Sequence, residues 1–321
     1  MYPSLYYLLK DLLGVEFPFL KNIHSFGLFE AMGFCSAAWI LTIELKRKEK
    51  KGEFTDEIHG LKSIVSPSET VPFVTILAAV TGIGGAKLFG VLDHPTMFLN
   101  HPFKTFFLEN GFVFFGGLIT ATVALWTFYH FKKMKPIKIA DAVALCLMPA
   151  YAIGRIGCHI AGDGDWGIVN LNPKPFSWLP NWIWAYHYPH NISRKGFMLP
   201  NCNWEPYCFQ LPLPVYPTPL YETIIIFFLF FILWKLRKRI TYTGRLTAIY
   251  LMMISTERFL IELIRINPVY NFGGLWLTQA QVISILLFTV GCLLFFSAPY
   301  LVVNKKHLPI KPSFRKKNIL L

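Results

Sequence analysis

The sequence predicts an all-α, polytopic integral membrane protein of about seven transmembrane helices, with its amino terminus outside the cytoplasm and its carboxyl terminus inside. Three observations predict it. Hydrophobic residues make up 54% of the chain and charged residues only 15%, which leaves too little polar surface to cover a soluble globule of 321 residues. Apolar runs near or above about 18 residues, with few charges, are long enough to cross a hydrocarbon core roughly 30 Å thick as helices. Basic residues cluster beside alternate ends of those runs.

Taken in order, the runs cover residues 23–45, 70–92, 111–131, 139–161, 216–234, 246–266 and 278–303. Basic groups follow the first, third, fifth and seventh: Lys46 to Lys51 with Lys62, Lys132 to Lys138, Lys235 to Arg245, and Lys305 to Lys317. These four groups hold 21 of the 31 Lys and Arg, whereas the amino terminus and the other connections hold six, so the groups mark the cytoplasmic side. The same distribution accounts for the net charge of +13. Split among short loops, it forms no nucleic-acid surface and instead meets anionic lipid heads.

Residues 1–321 read as a single transmembrane domain without a cleavable signal peptide, because the first apolar run starts late and lacks a small-residue cleavage site. The sizeable extramembrane piece is an extracytoplasmic loop at about 163–215. It carries Trp166, Trp178, Trp182, Trp184 and Trp204 among prolines and asparagines. Indole rings prefer the headgroup zone and proline discourages regular helix, so this loop suits an interfacial cap. Cys35, Cys146, Cys158 and Cys292 lie in apolar segments as small core residues. Cys202 and Cys208 fall in the outer loop, where an oxidising compartment permits a bridge without requiring one.

With the flanking charges set aside, Lys87, Arg155, Arg258 and Arg265 remain at membrane depth, with Glu257 and Glu262 beside them. An ionisable group in hydrocarbon is costly unless paired or wetted, which makes each a functional candidate. Arg258, Glu262 and Arg265 are spaced i, i+4 and i+7 and share a face if the helix continues. Glu262 then pairs with either arginine and leaves the other's donors for a phosphate; a purely structural ion network fits the same spacing. The densest stretch is Gly154-Arg155-Ile156-Gly157-Cys158-His159-Ile160-Ala161-Gly162-Asp163-Gly164-Asp165-Trp166-Gly167. If helix persists through it, Arg155, His159 and Asp163 recur every four residues on one face and supply a phosphate anchor, an imidazole and a carboxylate for proton transfer. Gly162 and Gly164 argue for a helix end instead. His159, Asp163 and Asp165 do not make a metal signature, and no metal site is expected. Gly116 and Gly117 mark close helix packing.

These residues resemble a known family, the prolipoprotein diacylglyceryl transferases of bacterial inner membranes, over about residues 25–285. Ser25-Phe26-Gly27-Leu28 is similar to the family's first-helix motif, and Gly85-Ala86-Lys87 to a Gly-x-Arg. Phe115-Gly116-Gly117-Leu118-Ile119 resembles His-Gly-Gly-Leu-Ile. Gly154-Arg155-Ile156-Gly157 opens the signature Gly-Arg-x-Gly-Asn-Phe-x-Asn-x-Glu-x-x-Gly. Pro217-Thr218-Pro219-Leu220-Tyr221-Glu222 is similar to Pro-Ser-Gln-Leu-Tyr-Glu, and Arg258-Phe259 with Glu262 and Arg265 matches Arg-Phe-x-x-Glu-x-x-Arg. Gln281 aligns with a glutamine in the last helix.

The resemblance implies a multi-pass enzyme of the bacterial inner (cytoplasmic) membrane that moves a diacylglyceryl group from phosphatidylglycerol to the lipobox cysteine of a prolipoprotein signal peptide. It implies a thioether product, released glycerol phosphate and no cofactor. Arg155 and Arg258 match the family's lipid-binding arginines. The sequence departs where Phe115 replaces the motif histidine, and where Cys158, His159, Ala161 and Asp163 replace signature residues. The expected site therefore has Arg155, Arg258 and Arg265 on phosphate, His159 and Asp163 with Arg258 in catalysis, and Glu262, Gly116, Gly117, Tyr221 and Glu222 in support. Two other readings remain: a phospholipid-dependent transferase with a different acceptor, and a non-catalytic phospholipid-binding relative.

Overall fold

Each apolar run folds as a helix in the computed structural model, which describes residues 1–54, 66–92, 98 and 113–301. Lys62, the basic run from Lys305 to Lys317 and the carboxyl terminus lie outside the described residues. The long helices are α2 (Ser25–Lys50), α3 (Val71–Leu92), α4 (Phe114–Phe131), α5 (Pro136–Ala161), α7 (Thr218–Leu236), α8 (Arg245–Ile261) and α9 (Gln279–Leu301). Two short helices, α1 (Leu5–Leu13) and α6 (Asn181–Trp184), lie outside these runs. Two antiparallel hairpins pair β1 (Phe197–Met198) with β2 (Phe209–Gln210), and β3 (Val269–Phe272) with β4 (Leu275–Thr278). Among the described residues, α2, α3 with its leading 3-10 turn, α5, α7 and α9 are long and apolar enough to cross a membrane.

The bundle is built around α5, the most buried of these helices. Ala142, Leu145, Met148 and Ala152 pack with Ile40, Leu41 and Leu45 of α2 and with Ile226 and Leu233 of α7 in the main apolar core. Glycine sets the helix separations. A Cβ on Gly33 would fall 3.0 Å from Ala150 O, and one on Gly157 would fall 2.7 Å from Phe29 Cβ. On the α3–α4 contact, a Cβ on Gly117 would meet Gly82 O at 2.7 Å and one on Gly116 would meet Gly85 O at 2.8 Å. Gly116 and Gly117 thus act as small residues that let two backbones approach.

At the end of the bundle carrying the first three basic groups, the fully buried Glu44 accepts hydrogen bonds from Arg47 and lies 3.4 Å from Arg237 Nε. Asp141 accepts from the backbone N–H groups of Gly244 and Thr247 (2.8 and 2.9 Å), which caps α8.

One helix end falls where the sequence reading put it and one does not, and both shape the site. The α5 helix stops at Ala161, where Gly162 takes a left-handed conformation (φ 67°) and returns its N–H to Cys158 O. Asp163 therefore does not share a helical face with Arg155 and His159. The sixth run, expected to 266, is helical only to Ile261; Glu262–Ile264 form a 3-10 turn and Arg265 is extended (φ −93°, ψ 157°). Pro268 disfavours helix at Asn267, and the Asn267 amide donates to Glu262 Oε1 at 2.5 Å, turning the chain into the β3–β4 hairpin.

The loop after α5 folds back over the end of that helix. Trp166, Tyr188, Leu211 and Val215 form a second core. Asn191, fully buried, donates from its amide to the carbonyls of Tyr188, Lys195 and Phe209 and fixes the loop's shape. Cys202 and Cys208 are bridged, with Cα atoms 5.7 Å apart. Between them Trp204 stacks on Tyr7 of α1 (4.4 Å) and on His190 (4.2 Å), so the disulfide loop clasps the amino-terminal helix. Leu171, Phe176, Trp178 and Trp182 stay exposed.

Candidate active site

Three backbone segments meet where α5, α7 and α8 end together. Gly167 N–H donates to Tyr216 O and Ile168 N–H to Ile264 O, both at 2.8 Å, so the stretch after Asp165 lies between the start of α7 and the turn leading to Arg265. A side chain at Gly167 has no room, since a Cβ would fall 2.9 Å from both Thr218 Cγ2 and Tyr216 Cβ. Thr218 completes the clamp by donating its hydroxyl to Asp165 O at 2.7 Å. Asp165 and Arg265, a hundred residues apart in sequence, are thereby set side by side.

The clamp assembles a charge cluster around Glu222, which lies in the second turn of α7 and is fully buried. Its carboxylate receives Arg155 Nε at 2.5 Å, Arg265 Nη1 at 3.0 Å and the Tyr151 hydroxyl at 2.6 Å, with Arg258 Nη1 at 3.7 Å. Arg155 and Arg265 also share Asp165, the latter through Nη2 to Oδ1 at 2.7 Å. Glu262 pairs with Arg258 Nη2 at 3.1 Å and lies 3.9 Å from Arg265 Nε. Arg155, Arg258 and Arg265 therefore converge on Glu222. The expectation of an arginine freed by Glu262 is corrected: Glu222 and Asp165 supply further counter-charges, and each arginine faces a carboxylate.

The three arginines are not equally committed. Arg155 and Arg265 donate to two carboxylates each, whereas Arg258 Nη1 has no hydrogen-bond partner and its side chain, at 26%, is the most exposed of the three. Arg258 is the cation best able to take a new anion.

Asp163 and Asp165 sit two residues apart in opposite electrostatic settings. Burial pushes the Asp163 carboxyl above its usual range, and the neighbouring charge of Asp165 adds to that effect. Burial acts on Asp165 in the same direction, but Arg155 and Arg265 overcome it and hold the carboxyl down at about 2. Asp165 is thus a fixed anion and Asp163 the more proton-accessible carboxyl. Asp163 Oδ1 accepts the Asp165 N–H at 3.1 Å. His159 turns towards the loop: its Nδ1 lies 3.1 Å from the Tyr188 hydroxyl, with the Tyr186 ring centroid at 6.0 Å. The ligand atoms of Cys158, Asp163 and Asp165 lie within 4.8 Å of one another, but Arg155 and Arg265 already provide the positive charge at Asp165. Tyr221 donates its hydroxyl to Ile183 O at 2.7 Å and ties α7 to α6 of the loop. Gln281 exchanges hydrogen bonds with Thr278 and caps α9. Phe115 stands in the first turn of α4, half-buried.

Sequence reasoning left three groups out of the site. Asp165 was weighed only as a metal ligand, Tyr151 stands one helical turn before Arg155, and Glu30 is the lone acid in the outer half of α2. A carboxylate shared by three arginines is costly to remove, because each loses a buried partner. Glu222→Gln is expected to destabilise the detergent-solubilised protein by about 3–5 kcal/mol, the usual cost of breaking a buried ion pair. A thermal midpoint equal to wild type would contradict a central role for Glu222.

The family model described as prolipoprotein diacylglyceryl transferase matches residues 15–297. A relative from Clostridium tetani is 26% identical over 275 residues, covering 85% of this chain and 92% of its own. One from Bordetella parapertussis is 28% identical over 284 residues, covering 86% and 92%, and one from Leptospira interrogans is 24% identical over 268 residues, covering 76% and 71%. All three carry the name phosphatidylglycerol--prolipoprotein diacylglyceryl transferase. A match that takes in α2 through nearly all of α9, with Arg155, Glu222, Arg258, Glu262 and Arg265 gathered at one point, places the chain in a single group: it belongs to the prolipoprotein diacylglyceryl transferase family.

Proposed function

We propose that this protein transfers a diacylglyceryl group from phosphatidylglycerol to the lipobox cysteine of prolipoproteins, in the membrane, as a step of lipoprotein biogenesis. The single observation that carries the reading is the arginine cluster at the outer end of the bundle, with Arg258 only partly compensated. Cleavage at the glyceryl carbon puts negative charge on the departing phosphate, and a preorganised guanidinium stabilises that charge as it develops. Arg258 takes the phosphate directly. Arg155 and Arg265, held by Glu222 and Asp165, supply the surrounding positive potential, and Glu262 orients Arg258. Tyr221 keeps the loop over the site, and Gly116 and Gly117 hold α4 against α3. Asp163 and His159, on the path from the arginines to the loop, carry the thiol's proton outward.

Purified protein incubated with labelled phosphatidylglycerol and a lipobox peptide is expected to give the thioether-linked peptide and glycerol phosphate. Arg258→Gln is expected to lower turnover by about 10²-fold or more, the usual cost of losing one donor to a developing anion. Glycerol phosphate released without peptide labelling would point to another acceptor, a reading that the phenylalanine at Phe115 favours. Lipid binding with no release of glycerol phosphate would leave a non-catalytic relative.

The proposed setting is a bacterial inner membrane crossed seven times, by α2, α3, α4, α5, α7, α8 and α9, with residues 163–215 outside and the basic ends inside. The basic residues from Lys46 to Lys51 support that orientation, because such loops resist translocation. Reporter fusions are expected to place residues 178–206 outside and Lys50 inside. A cytoplasmic signal from the 178–206 fusion would overturn the topology.

A further inference from the structure

We propose that Glu30 of α2 is the general base that takes the proton from the acceptor thiol, a role that rests on the diacylglyceryl transfer reading. The first glycine of Gly-Arg-Ile-Gly makes room for this group. A Cβ on Gly154 would fall 2.8 Å from Glu30 Oε1, so the missing side chain lets a carboxyl lie against the α5 backbone one residue from Arg155. The second glycine, Gly157, admits the neighbouring Phe29 in the same way. The charged groups around the Glu30 carboxyl are Arg155 and Asp163.

Glu30 is half-buried, and among the described residues it makes no hydrogen bond or ion pair. Every other candidate is engaged or sealed. Glu222 and Asp165 are spent on arginines, and Glu262 on Arg258 and Asn267. Asp163 accepts the Asp165 amide. His159 meets the Tyr188 hydroxyl. Glu257, at 4% exposure, is sealed among the helices, unlike the Arg258 side chain at 26%. A general base needs an available lone pair within about 2.6–3.2 Å of its proton, or one water away. Among the described residues, Glu30 alone combines that availability with a place beside Arg155.

The step balances. The thiol S–H gives its proton to the Glu30 carboxylate, and the sulfur electron pair attacks the glyceryl carbon that carries the phosphate. The S–C bond forms as the C–O bond breaks, and the C–O pair leaves on a phosphate oxygen facing Arg258. Glu30 then returns its proton to water through Asp163. Without a base the thiol is mostly protonated at neutral pH and is a poor nucleophile.

The test uses the full-length protein in phosphatidylglycerol vesicles, with a lipobox peptide carrying either cysteine or selenocysteine, whose selenol is ionised at neutral pH. With the cysteine peptide Glu30→Gln is expected to lose about 10²-fold or more in turnover, the range for general base catalysis. Its phosphatidylglycerol affinity should stay unchanged, Glu30→Asp should keep part of the rate, and the selenocysteine peptide should restore Glu30→Gln towards wild type. Wild-type turnover by Glu30→Gln on cysteine would overturn the assignment while leaving the reaction standing. So would an equal loss on both peptides, or a selenium-rescued loss in Asp163→Asn instead. A wild-type protein that forms no thioether would overturn the reaction itself, and the base with it.

Discussion

One fully buried carboxylate organises the end of the bundle where α5 and α8 stop and α7 starts. Glu222 joins Arg155 and Tyr151 of α5, Arg258 of α8 and Arg265 beyond the 3-10 turn. None of these charges tolerates burial singly, because desolvation outweighs any weak compensation. Together Arg155, Arg258 and Arg265 are matched by Asp165, Glu222 and Glu262, so the resting cluster is internally neutral. An incoming phosphate must therefore loosen an existing pair. The weakest contact is Arg258 to Glu222 at 3.7 Å, which is where a new anion enters at least cost.

The same cluster explains why the fold needs its loop. Asp165 belongs to the segment after α5, and only the Gly162 turn, the Thr218 hydroxyl and the strand-like contacts of Gly167 and Ile168 bring it to Arg155 and Arg265. The contacts that hold the loop are also the ones that assemble the site. Asn191 and the Cys202–Cys208 bridge shape the loop, and through Trp204 they fix α1 over it.

Much of this was legible in the sequence. The seven helices follow from run length and apolarity, both local properties, and the arginines stood out because ions are rare at membrane depth. Tertiary contacts decided the rest. Gly162 marked the end of α5 in the sequence and removes the alternative of a helical face through Asp163, whereas helix was extrapolated through Arg265 by spacing and a turn before Asn267-Pro268 ends it at Ile261. Asp165, Tyr151 and Glu30 acquire meaning only from what faces them across α5. The nine-residue α1 was missed because it is too short to register as an apolar run. The two glycines of Gly-Arg-Ile-Gly were seen as packing residues; what they pack against, Glu30 and Phe29, needed the structure.

The claim on which the account stands is that Arg258 receives a lipid phosphate. It is tested most directly by the affinities of wild-type and Arg258→Gln protein for phosphatidylglycerol and for diacylglycerol, which lacks the phosphate, in otherwise identical nanodiscs. A charge-assisted hydrogen bond is worth about 1.5–3 kcal/mol, so the account predicts a loss of roughly tenfold or more for phosphatidylglycerol and little change for diacylglycerol. Equal affinity of the two proteins for phosphatidylglycerol would contradict it.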